Sequence, residues 1–402
     1  MPRYATGGKP LRILLLGFVA VAVIVLGLSS SLGVPISPLH EAQEHPNVGR
    51  RTPAVQTGVA SRDSEDQHRV ATAASITPRQ FIALSCFHAK PDFYHGREVP
   101  NTDWIVVFIR SFLTVVPSKR SVVLFVDDGT KEKLLRYRGM KQSVNEGELL
   151  LITIVNDSTT PFLREPWAAK VKNGANNFRF ALYAQWLLNA KNAGFVAEAT
   201  RIVISDATDV AFQRNPFSGN SVCFPPEDRS EQQRQPVVIF TLENELKTFK
   251  NEKYNRRWLG CYGDSTLNHF AMNRVAISCA GLTLGNTEGV VKYAQAQIAE
   301  ISKPKLVSCS ISKIDAALDQ ATHNFLRQTW KEENKSLGFS VAHSTPCTFH
   351  GNFGKLKMVK DPLDAGSDVA VNGKGEVYAI VHQFTSGRHP PVMEAMARRY
   401  LS

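Results

Sequence analysis

Arg201-Ile-Val-Ile-Ser-Asp206-Ala-Thr-Asp209-Val-Ala-Phe-Gln-Arg-Asn-Pro-Phe217 is the stretch on which the reading of this chain turns. Its first five residues are a short apolar, β-branched run with no helical spacing, which predicts a buried strand. The strand stops at Asp206, and Asp209 follows three residues on. Two carboxylates at the mouth of a buried strand can hold a hard divalent cation through oxygen ligands. The plainer alternative is that Asp206 caps a turn and Asp209 is solvated.

Working toward the amino terminus, strand and helix patterns alternate. Strands are predicted over Phe81–Phe87, Ser121–Val126 and Leu149–Val155, with helical spacing around Trp104–Val115 and over Phe178–Ala193. Such alternation implies an α/β fold with a largely parallel sheet and helices on both faces, where ligands sit beyond the carboxyl ends of the strands. Asp127-Asp128-Gly129 closes the second strand and reads as a turn, with Asp127 a candidate to line a nucleotide pocket. Toward the carboxyl terminus, Val237–Thr241 is a strand candidate, and Lys292–Ile301 and Ile314–Trp330 look helical. Val369–Val371 and Glu376–Val381 flank Asn372-Gly373-Lys374-Gly375, which predicts a hairpin.

The chain has 402 residues, 47 Lys+Arg against 36 Asp+Glu, 43% hydrophobic and 21% charged residues. That apolar fraction is globular and excludes a wholly disordered or collagen-like chain. The formal charge of +11 is spread without basic blocks or zinc-finger, RNP or basic-zipper patterns, which argues against nucleic acid and suits anionic small molecules. GxSxG, HExxH, GxxxxGK[ST] and GxGxxG are missing, so serine hydrolase, zincin, P-loop and dinucleotide-fingerprint readings lack support.

Only Ile13–Leu28, with softer apolar continuation to Ile36, is long enough to span a bilayer, which excludes a multi-pass transporter. Arg3, Lys9 and Arg12 precede it and the next basic residue is Arg50, so the amino terminus is expected in the cytosol and the remainder in the secretory lumen. An uncleaved anchor is preferred. The rival is a signal peptide cleaved near Ser29–Ser31, giving a secreted protein. The expected organisation is a tail over 1–12, a signal anchor over 13–36, a disordered Pro/Gln/Ser-rich stem over 37–80 and a folded domain over 81–402. Asn156 and Asn334 begin N-glycosylation sequons. Six cysteines without CxxC spacing argue against structural zinc and allow up to three disulfides, with the connectivity open.

The phrase Ser205-Asp-Ala-Thr-Asp-Val-Ala-Phe-Gln-Arg-Asn-Pro-Phe217 resembles the metal-binding DxD region of GT-A-fold nucleotide-sugar glycosyltransferases, with two residues rather than one between the aspartates. Ile277-Ser-Cys-Ala-Gly-Leu-Thr-Leu-Gly285 resembles that family's small-residue segment lining the donor pocket, which brings in Ser278 and Gly281. Asp319-Gln-Ala-Thr-His-Asn324 resembles a DQxxxN-like helix whose acid faces the sugars, and Val381-His-Gln-Phe384 resembles a carboxyl-terminal histidine motif. The resemblance covers roughly Phe81 to the end.

It implies a GT-A-like (Rossmann-like) fold with a mostly parallel central sheet flanked by helices. It also implies a glycosyltransferase of the Golgi membrane that moves a sugar from a nucleotide-diphosphate donor, UDP first, to a glycan or glycoprotein. Asp206, Asp209 and His382 would hold Mn2+ or Mg2+, a histidine ligand favouring manganese. His350, in Phe349-His-Gly-Asn-Phe-Gly-Lys355, competes for the histidine role. Asp319 would be the acid nearest the sugars. Arg179, Lys355 and Arg388 are candidates to neutralise the diphosphate, Asn324 belongs to the donor side, and Trp258 with Tyr262 would form a sugar-stacking wall. A catalytically inactive carbohydrate-binding protein of the same fold and a metal-dependent phosphodiesterase remain as alternatives.

Overall fold

Strand β4 (Val196–Ser205), which carries the aspartate motif, is an inner strand of a seven-stranded sheet. Its companions are β1 (Arg79–Phe87), β2 (Arg120–Val126), β3 (Leu149–Thr153), β6 (Val237–Thr248), β7 (Ala276–Asn286) and β8 (Gly338–Ala342), in the order β3-β2-β1-β4-β7-β6-β8. The computed structural model describes residues 78–87, 101–154, 174–218, 223–224, 236–312, 317–333, 338–342, 347–350, 357–385 and 389–401. All lie in one unit, Thr77–Ser402. The predicted tail and anchor, the stem up to residue 77, both sequons, Lys355 and Arg388 fall outside the described residues; the expected stem boundary at residue 80 is corrected, because Arg79 and Gln80 already belong to β1. Among those described, no helix is long and apolar enough to cross a membrane.

The pairs β1–β2, β1–β4, β2–β3 and β6–β8 are parallel, whereas β7 is antiparallel to both β4 and β6. Six strands therefore point one way and β7 alone runs against them, so the expected mostly parallel sheet is present. The reversal matters for the site. A strand running backwards begins at the edge where its neighbours end, and Leu282 of β7 pairs with Ser205, the last residue of β4.

Alternate residues of each strand enter two cores, as the two-residue period of a strand requires. On one face Ile82, Leu84, Ile202 and Ile204 meet Phe180, Tyr183 and Leu187 of α4 (Gly174–Asn192), Tyr293 of α7 (Thr287–Ile301), Leu306 of α8 (Pro304–Ser312) and Leu326 of α9 (Leu318–Glu333). On the other, Ala83, Val122, Leu124 and Val203 meet Ile105, Phe108 and Phe112 of α1 (Thr102–Val115). Helix α1 starts where the Asn101 side chain accepts the Asp103 N–H, and Asp103 complements the helix dipole in the first turn. Short helices α2 (Asp128–Leu134) and α3 (Met140–Asn145) link β2 to β3, while α5 (Lys253–Leu259) and α6 (Asp264–Met272) link β6 to β7.

A second, three-stranded sheet joins β5 (Val210–Phe212), β9 (Thr348–His350) and β12 (Ile380–His382), with β12 in the middle. Strand β12 is antiparallel to β5, pairing His382 with Val210, and parallel to β9, pairing His382 with His350. Strands β10 (Lys357–Asp361) and β11 (Asp364–Val371) form a separate ribbon, and α10 (Pro390–Tyr400) follows β12.

The hairpin expected across Asn372–Gly375 forms, and it is short. The Gly375 N–H bonds the Asn372 carbonyl, the Asn372 N–H bonds the Glu376 carbonyl, Val371 bridges Val377, and the Tyr378 N–H bonds the Ala370 carbonyl. The chain then leaves β11, which pairs with β10, and enters the three-stranded sheet as β12, which pairs with β5. Of the six cysteines, four form Cys223–Cys347 and Cys261–Cys309, and Cys86 and Cys279 are free thiols.

Candidate functional site

Asp206 and Asp209 sit in the loop between β4 and β5, fixed at both ends by strands in different sheets. The Asp206 N–H bonds the Gly281 carbonyl at 3.0 Å, which ties the loop to β7. The Gln383 N–H bonds the Asp209 carbonyl at 2.7 Å, which ties it to the end of β12. Gln383 adopts φ 58°, a left-handed conformation uncommon outside glycine, and turns the chain away just after His382. These two anchors bring together residues far apart in sequence.

The outcome is a cluster in which Asp206, Asp209 and His382 each offer a ligand atom within 4.8 Å of the others. His382 Nε2 lies 3.4 Å from Asp206 Oδ2 and 3.5 Å from Asp209 Oδ1. His382 is fully buried and Asp209 Oδ1 is buried without a hydrogen-bond partner. Space for the cluster comes from Gly281: a Cβ there would collide with the Asp206 carboxylate and stand 2.8 Å from His382 Cε1. An orphaned carboxylate oxygen, a second carboxylate and an imidazole around a gap that a methyl group would fill suit a divalent cation with mixed oxygen and nitrogen ligands. His350 shares the backbone register of His382 on the neighbouring strand, but the cluster is completed by His382.

Behind the triad lies Arg179, on α4 and 2% exposed. Its Nη1 bonds Asp206 and its Nη2 bonds Asp319 at 3.0 Å and the Ala280 carbonyl at 3.3 Å. Burial alone would raise the Asp206 carboxyl, but the Arg179 guanidinium and His382 hold it well below the usual carboxylate range. Asp319 differs: burial and the nearby Asp206 charge lift it, and Arg179 only partly offsets them. Its backbone N–H bonds Asn177 Oδ1 at 3.0 Å, which seats the first turn of α9 against α4.

The other residues singled out from the sequence divide. Arg179 is brought to the site, but as a buried link between two carboxylates rather than an open cation. Ser278 and Asn324 are both fully buried and engaged with each other: Asn324 Oδ1 accepts the Ser278 N–H at 2.9 Å and Nδ2 returns a bond to the Ser278 carbonyl at 2.9 Å. They hold α9 to β7. Asp127 accepts from the Thr130 N–H and hydroxyl and caps α2. Tyr262 stacks on Phe325 at 4.1 Å and 16° and bonds Thr322, so a ring face expected for sugar is taken by the core. Trp258 remains half-exposed beside Tyr254, with Nε1 buried and lacking a hydrogen-bond partner.

Two residues were missed. Gln320 packs its amide between β6, β7 and α5, with Oε1 accepting the Ala280 N–H and Nε2 facing Glu243, Asn255 and the Ser278 carbonyl. Its place beside Asp319 in the DQ pair was a usable signal. Glu243, 7% exposed on β6, has one oxygen toward Gln320 and the other without a partner, and burial pushes its carboxyl up to about 8. It sits in Leu242-Glu-Asn-Glu-Leu246, where no pattern separates a buried glutamate from a solvated one.

No family model matches the chain, and no curated protein matches it. Among solved structures, it is similar to the apo form of mouse xyloside xylosyltransferase 1 at 14% sequence identity and a TM-score of 0.40, over 76% of this chain and 98% of that one.

Proposed function

We propose that the protein is a metal-dependent glycosyltransferase that moves a sugar from a nucleotide-diphosphate donor to a glycan or glycoprotein. The observation that carries this reading is the meeting of Asp206, Asp209 and His382 at the carboxyl edge of the sheet, around the gap kept open by Gly281. Asp206, Asp209 and His382 would hold Mn2+, whose charge neutralises a diphosphate and makes it a better leaving group. Arg179 keeps Asp206 ionised and aims it, and its second bond holds Asp319 in place for sugar hydroxyls. Trp258 is the aromatic surface left for a sugar ring, since Tyr262 is engaged. UDP is the donor nucleotide in this reading, and Lys355 and Arg388 are its candidate diphosphate contacts. The proposed setting is the Golgi lumen, with the segment 13–36 as a type II anchor.

Calorimetry with UDP and GDP, each with and without Mn2+, tests the reading on the wild type and on Asp209→Ala. Manganese-dependent binding of one nucleotide, lost in Asp209→Ala, is the expected result and names the donor class. A folded wild type that takes up neither nucleotide in the presence of Mn2+ overturns it and leaves a carbohydrate-binding protein without catalysis.

A further inference from the structure

The side of the His382 ring that faces away from the carboxylates is closed by a thiol. Side chains alternate along β7, so Cys279 and Gly281 share the face that looks at the triad. Gly281 leaves room there and Cys279 fills it. Cys279 is 4% exposed and free of any disulfide, and its Sγ lies 3.6 Å from His382 Nδ1. The opposite nitrogen, Nε2, is the one turned to Asp206 and Asp209.

An imidazole that offers Nε2 to a cation keeps its proton on Nδ1, and which nitrogen is free is set by the bond the other one makes. The acceptors that usually serve this purpose are carboxylates and backbone carbonyls. Here Nδ1 meets the Cys279 Sγ, at 3.6 Å. The thiol stands where such an acceptor is needed.

We infer that Cys279 is a positioning residue for the metal site: its Sγ accepts the Nδ1–H of His382, holds the plane of the ring and leaves the Nε2 lone pair directed at Asp206 and Asp209. This inference rests on the metal-site reading given above. It assigns Cys279 no contact with metal, donor or sugar.

The test is a titration of Mn2+ into the full chain in the presence of UDP, followed by the electron paramagnetic resonance signal of the free ion at constant pH. Wild type, Cys279→Val, Cys279→Ser and Asp209→Ala are compared, with thermal unfolding run on each. Valine removes the acceptor and is somewhat larger than cysteine, whereas serine keeps an acceptor and is somewhat smaller. Cys279→Val is expected to weaken Mn2+ binding about 10- to 100-fold, the usual cost of losing an outer partner of a ligating histidine. Cys279→Ser should stay close to wild type. Cys279→Ala replaces the valine variant if the latter fails to fold. Equal losses in Val and Ser overturn the inference, because a change of side-chain size in either direction, and not loss of the acceptor, would then account for them. Wild-type affinity in Cys279→Val beside lost binding in Asp209→Ala overturns it while leaving the metal site intact. A wild type that holds no Mn2+ overturns both.

Discussion

Arg179 and Asp319 are bonded at 3.0 Å inside the protein, while the other arm of the same guanidinium holds Asp206. One buried cation thus serves two carboxylates with different surroundings: Asp319 is 8% exposed and Asp206 is 33% exposed. Replacing Arg179 by methionine leaves Asp319 buried without its countercharge. Loss of one partner of a buried ion pair costs about 3–5 kcal/mol. Denaturant unfolding of Arg179→Met should show a loss of that size, and adding Asp319→Asn should restore a substantial part of it.

Glu243 gives a pH signature. Its folded-state value of about 8 lies above the ordinary 4.5 of an exposed glutamate, so the folded protein binds this proton more tightly than the unfolded chain. The stability it contributes is complete below about 4.5, shrinks as pH rises, and is gone above about 8. Glu243→Gln keeps the neutral shape and removes the titration. The melting temperature of Glu243→Gln relative to wild type is expected to climb between pH 5 and pH 8 and then level off. A difference that stays flat over this range would show that Glu243 is ionised in the folded protein.

Gly281→Ala tests the cradle. The added methyl would meet the Asp206 carboxylate and the His382 ring together, both held by the surrounding strands, so it must push the ligands apart. Manganese binding should fall at least tenfold, as expected when a misplaced ligand loses more than about 1.4 kcal/mol. The same change at Gly373, where a Cβ meets nothing within 4 Å, should leave binding unchanged.

The two disulfides should separate by function. Cys223–Cys347 closes a separation of 124 residues and borders β9, and the Cys347 carbonyl accepts the Ile380 N–H of β12. Cys261–Cys309 closes 48 residues and ties Gly260–Tyr262 to α8. Removing either bridge with serine pairs should cost about 2–5 kcal/mol in unfolding experiments. Only Cys223→Ser with Cys347→Ser should also weaken Mn2+ binding, because that bridge braces the sheet that carries His382.

Much of the sheet was legible because its strands are short apolar runs that stop at turn residues. Arg201–Ser205 is the core of β4, and Ser121–Val126 is β2 but for Arg120. Leu149–Val155 contains β3, which ends at Thr153, and Val155 lies outside the described residues. Ile277–Gly285 reads only as a lining of small residues, and it forms most of β7. Its Ser, Cys, Ala and Gly give no strong periodicity, yet the segment is a buried strand paired on both sides, with β4 and β6. The Asp206, Asp209 and His382 grouping was reached through motif order. The partner of Arg179 was not, since nothing in Phe178-Arg-Phe180 tells a solvated arginine from one folded under two carboxylates. Trp258 and Tyr262 looked alike in the sequence and were split by Phe325, which comes from a helix much later in the chain.

The placement of His382 on the central strand of the small sheet also sets a timetable. Strands β4 and β5 leave the ribosome long before β12, and at about 5–20 residues per second the nascent chain waits tens of seconds for the histidine. At the start of that wait Asp206 lacks Gly281, Asp319 and His382, and they arrive in that order, so a product stalled before His382 would carry the aspartates without the imidazole. If the triad holds a metal as proposed, only a chain extended past His382 can load it, so a bound ion would mark that the histidine had arrived.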